Sequence, residues 1–312
     1  MASTVAQNLT STAVNSTMTP MSFTGTTKPS ENEYHPVLLV IYSVVLLSGT
    51  ISLSLMMHIM KSSTTSITSI AVLNLIFAHF IFLLTVPFRI YYYAAHDWTL
   101  SHSWCKVVSS MIHIHMYMSF IFYVIILITR LMAFYHRAEQ VASIQKIHAL
   151  IGSAVLWIAV LVAVPLIIHF SYGKTTEEDE SSENSNATSC FKFGKCIESA
   201  KVFNYFTSTV IIVVATVLTA LQANVLRVLY RTHHRGCTSQ QDFWAQLKSL
   251  CFALIMVVCF IPYHIFRLNY LEHIHLESVN EVFLSLTTFN CLDMLTFLGR
   301  RTCYMCLPGK AI

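Results

Sequence analysis

Fifteen histidines, nine cysteines and one acid set deep in an apolar stretch are the residues of this 312-residue chain with the most chemistry to offer. Histidines in that number invite a zinc-hydrolase reading, since imidazole is a common zinc ligand. The spacing disfavours it. His113 and His115 stand at i and i+2 and so point to different faces of a helix, whereas chelation from one helix wants i and i+4. His273-Ile274-His275 falls in a connecting segment, with no carboxylate placed as a base deep in the chain. The chain is therefore read as a non-enzyme with no metal and no cofactor. His96, His102, His169 and His273 leave proton sensing physically open, because imidazole titrates near neutral pH.

Asp293 is the lone acid inside a long apolar stretch, and His79 lies in the middle of another. An acid alone in hydrocarbon is costly, and a hydrogen bond or ion pair with His79 is the cheapest remedy. A neutral, protonated Asp293 bonded to a serine or a water is the alternative. Nine cysteines is an odd number, so at least one thiol stays free. Cys251, Cys259 and Cys291 read as core thiols, and Cys303 and Cys306 as lipidation candidates or unmodified thiols.

The elements that position these groups follow from where charge is missing. Charged residues are 11% of the chain and apolar types 55%, against ~25% charged in a soluble domain. Too little charge remains to cover a soluble surface, and a net charge of only +4 excludes a basic nucleic-acid-binding domain. Stretches free of Lys, Arg, Asp and Glu run Val37–Met60, Ile67–Phe88, Val107–Thr129, Ala149–Gly173, Val202–Leu226 and Ser249–Phe266. A seventh, Val282–Gly299, is broken only by Asp293. Each has 18 to 25 residues, and ~20 suffice to cross the hydrocarbon core. The fold class is all-α, a seven-transmembrane-helix bundle. His79 and Asp293 both fall ~18 Å deep in it, near the midplane.

With the first 36 residues outside, the inner segments hold 11 Lys and Arg and the outer ones 8, a mild positive-inside bias. The sequons at Asn8, Asn15 and Asn186 would then all face the side where glycosylation occurs. The expected organisation is an extracellular glycosylated head (1–36), a membrane domain (37–299) and a short cytoplasmic tail (300–312). The N-terminus is extracellular and the C-terminus cytoplasmic.

Cys105 opens span three and Arg130 closes it; Thr129-Arg130-Leu131 follows span three's apolar run. Leu73-Asn74-Leu75 and Pro87-Phe88 lie in span two, Trp98 precedes Cys105, and Trp157 sits in span four. Span six reads Cys259-Phe260-Ile261-Pro262-Tyr263-His264-Ile265-Phe266-Arg267, and span seven carries Asn290-Cys291-Leu292-Asp293-Met294-Leu295-Thr296-Phe297. The combination resembles the rhodopsin-like (class A) G-protein-coupled receptors. Phe260 to Arg267, with Thr85-Val86-Pro87-Phe88-Arg89, resembles their purinergic-like (δ) branch, and the strings at 113–130 and 241–252 look like one orphan receptor of it.

The resemblance implies a plasma-membrane receptor with an extracellular ligand and a heterotrimeric G protein as partners, beside the bilayer and without nucleic acid. It implies a Cys105–Cys190 disulfide, with Cys196 as a competitor for Cys105. It implies a ligand pocket touching Arg89, Tyr92, His113, Met116, Tyr117, Phe260, Tyr263, His264 and Arg267. Arg267 near the pocket mouth, with His264 one turn below, suits an anionic group; pairing with Glu272 or Glu277 is the bland alternative. The acidic run Glu177–Glu183 pulls the other way, towards a basic ligand. Arg130, Pro262, His79, Ser119, Asp293 and Phe297 occupy the family's switch positions. His79 stands where the family's acid helps hold sodium, so no sodium sensitivity is expected. Thr129, Thr50, Met294 and Phe297 depart from the family's pattern, which also admits a decoy or constitutively active receptor without ligand-dependent output.

Overall fold

A computed structural model describes residues 34–60, 67–135, 142–172, 190–191, 201–233 and 240–294. Its helices are α1 (His35–Met60), α2 (Ile67–Ala95), α3 (His102–Tyr135), α4 (Ala142–Tyr172), α5 (Lys201–His233), α6 (Gln240–Tyr270) and α7 (Glu277–Leu286). A 3-10 segment, Thr287–Met294, continues α7. There is no strand among the described residues. Six helices are long and apolar enough to cross a membrane, and α7 with its 3-10 extension takes the place of the seventh span.

Helices α1 to α6 each run past at least one of their charge-free limits, continuing into a polar flank; α5, for example, extends from Leu226 to His233. The seventh span differs in kind as well as length. Hydroxyls of Ser285, Thr287 and Thr288 bond the carbonyls three residues back, on Val282, Leu284 and Ser285, at 2.5–2.7 Å. Side chains that claim the i−3 carbonyl favour the tighter 3-10 winding over the α-helical ladder.

One face of α1, through Leu38, Tyr42, Val45, Gly49, Ser52 and Met56, is buried at helical spacing. Gly49 permits close approach there: a Cβ on it would stand 3.0 Å from Leu83 and 3.2 Å from the Cys291 sulfur. Thr50, one of the departures from the family's pattern, faces outward, and its hydroxyl bonds back to the Leu46 and Leu47 carbonyls. The inward positions beside it are Gly49 and Ser52.

Buried α3 packs against α2, α4, α5 and α6, while α1 packs on α2 and on Thr287–Met294, and α5 on α6. Outward faces are apolar: Val40, Leu47, Ile51, Ile158, Val162 and Val258 are each more than half exposed. In water that surface would drive association; in lipid it is the solvated face.

Candidate functional site

Polar groups inside this bundle gather in three places. At mid-depth, α2, α3 and the 3-10 segment bring together four ionisable side chains. His115 Nε2 lies 2.8 Å from His79 Nδ1, and His79 Nε2 lies 3.4 Å from Asp293 Oδ1. The Tyr123 hydroxyl donates to Asp293 Oδ2 at 2.5 Å and also reaches the Asn290 carbonyl at 3.2 Å. Phe82 stacks on the His115 ring. The juxtaposition of His79 and Asp293 follows the sequence expectation. A second partner of Asp293 is the Tyr123 hydroxyl, and His115 extends the chain. Both missed residues share one row of α3 with Ser119, at i, i+4 and i+8, which was the available signal. Ser119 is buried in that row, and its Oγ bonds no described residue.

The second cluster lies at the end of the bundle that carries the Cys105–Cys190 disulfide. Arg89, 1% exposed, donates through Nη1 to Glu281 at 2.6 Å and to the Tyr42 hydroxyl at 3.1 Å. The Tyr93 hydroxyl donates to the same Glu281 oxygen at 3.1 Å. Phe191, next to the disulfide and held at φ 72°, lies over the guanidinium, 4.3 Å from ring centre to Cζ. A non-glycine residue in that backbone region is kept there by its surroundings, here the disulfide and the arginine. Tyr92 packs among His35, Tyr93, Trp98 and Phe191.

The third is a cavity of about 270 Å³ between α3, α4, α5 and α6. Of the nine expected ligand residues it brings together His113, Tyr117, Tyr263 and Arg267, and adds Asn204 and Thr207 of α5. Arg267 donates to Asn204 Oδ1 at 2.9 and 3.3 Å and lies over the Tyr263 and Tyr270 rings. His264 sits behind it, bonded to Ser208 at 3.2 Å. Met116 and Phe260 are core residues, the latter against Phe120 and Tyr123. Arg89 and Tyr92 do not line this cavity: the charge on Glu281 and the aromatic shelf around Phe191 hold them on the α1–α2–α7 side. Glu272, offered above as an alternative partner of Arg267, is bonded instead by the Tyr205 hydroxyl and by Lys201. Those bonds, Tyr205's first, hold its carboxyl below the usual range.

At the opposite end, Arg130 is half-buried, and the Thr129 hydroxyl bonds the Ile125 carbonyl at 2.6 Å. No described acid pairs with this arginine. Pro262 lies within α6, and Trp157 of α4 donates to Asn74 of α2 at 2.9 Å. Asn8, Asn15, Asn186, Cys196, Phe297, Cys303 and Cys306, with the acidic run at 177–183, lie outside the described residues.

A polar interior walled by helices with apolar outward faces defines a multi-pass membrane protein that works through its core. Residues 25–296 match the family described as "7 transmembrane receptor (rhodopsin family)", and the chain belongs to that family, a G-protein-coupled receptor of the plasma membrane. It is 37% identical over 273 residues to Probable G-protein coupled receptor 141 of Homo sapiens, covering 84% of this chain and 87% of that protein. It is 24% identical over 298 residues to Cysteinyl leukotriene receptor 2 of Mus musculus, covering 92% and 91%. With 2-oxoglutarate receptor 1 of Rattus norvegicus it shares 28% over 243 residues, covering 75% and 68%.

Proposed function

We propose that this receptor binds an extracellular anionic ligand in the cavity between α3, α4, α5 and α6 and passes the signal to heterotrimeric G proteins at the Arg130 end. The observation that carries the reading is that Arg267, His113 and Asn204 all line that cavity, with Arg267 bonded to Asn204. A guanidinium there presents a fork of donors suited to carboxylate or phosphate. Two relatives are named for cysteinyl leukotrienes and for 2-oxoglutarate, both carboxylates, which supports the same chemistry. The orientation is head outside and tail inside, with residues 1–36 as a glycosylated head, 37–299 as the membrane domain and 300–312 as the tail.

A second reading is favoured by Thr129, which stands beside Arg130 in place of the family's acid. A receptor without that adjacent ion pair signals without ligand or serves as a decoy. A second-messenger panel on expressed receptor, first without ligand and then across anionic lipids and small carboxylates, tests both. Ligand-dependent output that Arg267→Gln removes supports the first reading. Basal output abolished by Arg130→Ala supports constitutive signalling, and output absent throughout leaves the decoy.

A further inference from the structure

Two imidazoles meet at the end of the bundle that carries the disulfide. His35 opens α1 and His96 directly follows α2, and their Nδ1 atoms stand 2.6 Å apart. The ring planes are within 9° of parallel and the ring centres 4.8 Å apart. With the nitrogens so close, the rings meet edge to edge, the N–H of one on the lone pair of the other. Such a bond needs one Nδ1 with its proton and one without. A helix C-terminus favours a cationic donor and an N-terminus disfavours it, so His96 donates and His35 accepts.

The backbone holds the His96 imidazole in place against strain. Its N–H bonds the Tyr92 carbonyl at 2.9 Å and so closes α2 with a residue at φ 57°, the position that glycine ordinarily fills. Glycine would end the helix with less strain but could not reach α1. His35 in turn packs on Tyr93, whose hydroxyl donates to Glu281. It also lines a recess with Tyr34, Phe191, Glu277 and Glu281. The pair thus joins α1 to α2 beside the contacts that join α2 to α7.

The surrounding charges favour a single proton on the pair. Glu277 and Glu281 of α7 line the recess with His35, Asp97 follows His96, and the charge of Arg89 beneath Phe191 is matched by Glu281. Tyr34, Tyr92 and Tyr93 complete the setting. One added proton makes the bond charge-assisted and stronger. A second removes the lone pair and sets N–H against N–H, with two like charges. Imidazoles gain protons over the range of about pH 8 to 5, and this contact is exposed. The His79–His115 contact is buried in the bundle, and His273 Nδ1 faces the Asn269 carbonyl, a bond that protonation leaves intact.

We infer that the His35–His96 pair is a proton-binding site, closed at neutral pH and opened by acid, at which the receptor registers acidification outside the cell. That this end faces outward is the orientation proposed above; the anionic-ligand reading plays no part.

The test is amide exchange on purified full-length receptor in nanodiscs at about pH 7.5 and about pH 5. It is expressed as protection factors so that the intrinsic pH dependence of exchange cancels. The probes are the amides of residues 38 and 96, which bond the Tyr34 and Tyr92 carbonyls. Wild type is compared with His96→Gly, which suits the backbone at that position, and with His35→Phe, which keeps a ring against Tyr93. Acid should lower protection roughly tenfold or more in wild type and less than about twofold in either variant, with α3 protected throughout. Protection that acid leaves unchanged in wild type overturns the inference, as does a fall in either variant as large as in wild type. In cells, the same step in external pH should change second-messenger output of wild type and leave that of His96→Gly unchanged. A wild type that opens in nanodiscs but stays silent in cells overturns the sensing role, and a response retained in His96→Gly overturns the site.

Discussion

Replacing Glu281 by Gln should destabilise this receptor more than any other single uncharging of its interior. The substitution keeps the shape and the oxygen that accepts from Tyr93 and Arg89, but removes the charge, so the buried guanidinium keeps only neutral partners: that oxygen, Tyr42, the Phe191 ring and a 3.4 Å contact to the Val108 carbonyl. Breaking a buried ion pair costs ~3–5 kcal/mol, because the surviving charge stays desolvated. Glu281 keeps 16% of its surface, which admits some water and sets the cost near ~3 kcal/mol. For a domain of this size that is a fall of roughly 6–12 °C in thermal midpoint, measured on purified receptor by heat-induced loss of the folded monomer. The double variant Arg89→Met with Glu281→Leu removes both charges and fills the space. It should recover most of the loss, because a buried pair replaced by apolar residues is close to neutral. A single-variant loss under ~1 kcal/mol, or a double variant as unstable as the two singles added, refutes the argument, since either outcome means the pair is not coupled.

Three further outcomes follow from the same geometry. Tyr123→Phe removes the donor from Asp293 and should cost ~1–3 kcal/mol in the same thermal assay. Added sodium should not stabilise the wild type but should stabilise His79→Asp, where a second carboxylate replaces the imidazole beside Asp293. Gly49→Ala places a methyl 3.0 Å from Leu83 and should cost ~1–3 kcal/mol as overpacking between α1 and α2, with smaller loss in a Leu83→Val background. The Glu272 carboxyl titrates below its ordinary value because Tyr205 and Lys201 bond its charged form. Its tie between α5 and α6 should thus persist at neutral pH and be lost only as pH falls through that lowered value. Amide exchange at residues 269–273 against pH reads this out.

The spans were legible because a charge inside hydrocarbon is costly enough to be excluded, and its absence marks each crossing. Helix ends were less so, since a helix leaving the bilayer continues on backbone bonds that no charge count reports. The 3-10 winding of Thr287–Met294 carried its signal in the Ser285, Thr287 and Thr288 hydroxyls, which a count of charges passes over. At mid-depth, His79 and Asp293 were legible because an isolated acid demands a partner at equal depth. Tyr123 and His115 were not, since an aromatic on an apolar helix reads alike whether its polar atom is bonded or idle. Arg89 and Glu281 are two lone charges towards the same end of the bundle, and opposite charges at one depth were a usable signal. Family position drew Arg89 towards the ligand instead, and only the side-chain geometry shows the acid facing it.

The polar contacts divide the bundle in a way no single motif announces. Arg89 with Glu281, and His79 with Asp293, tie α2 to α7 and its extension at two depths, and Val108, His115 and Tyr123 bring α3 into the same frame. A second set joins α5 to α6 along their length: Glu272 with Tyr205 and Lys201, Arg267 with Asn204, His264 with Ser208, and Gln222 with Gln246 at 2.7 Å. Buried polar bonds in hydrocarbon resist opening because neither partner finds water instead. A rearrangement that keeps every one of these bonds moves α5 and α6 together against the frame. The cavity lies across that boundary, with His113 and Tyr117 on the frame and Asn204 and Arg267 on the moving pair. A ligand held by both sides changes the balance between their relative positions only through unequal contact in the two. Arg267 and Asn204, which would travel together while His113 stays, are the residues through which that inequality is made.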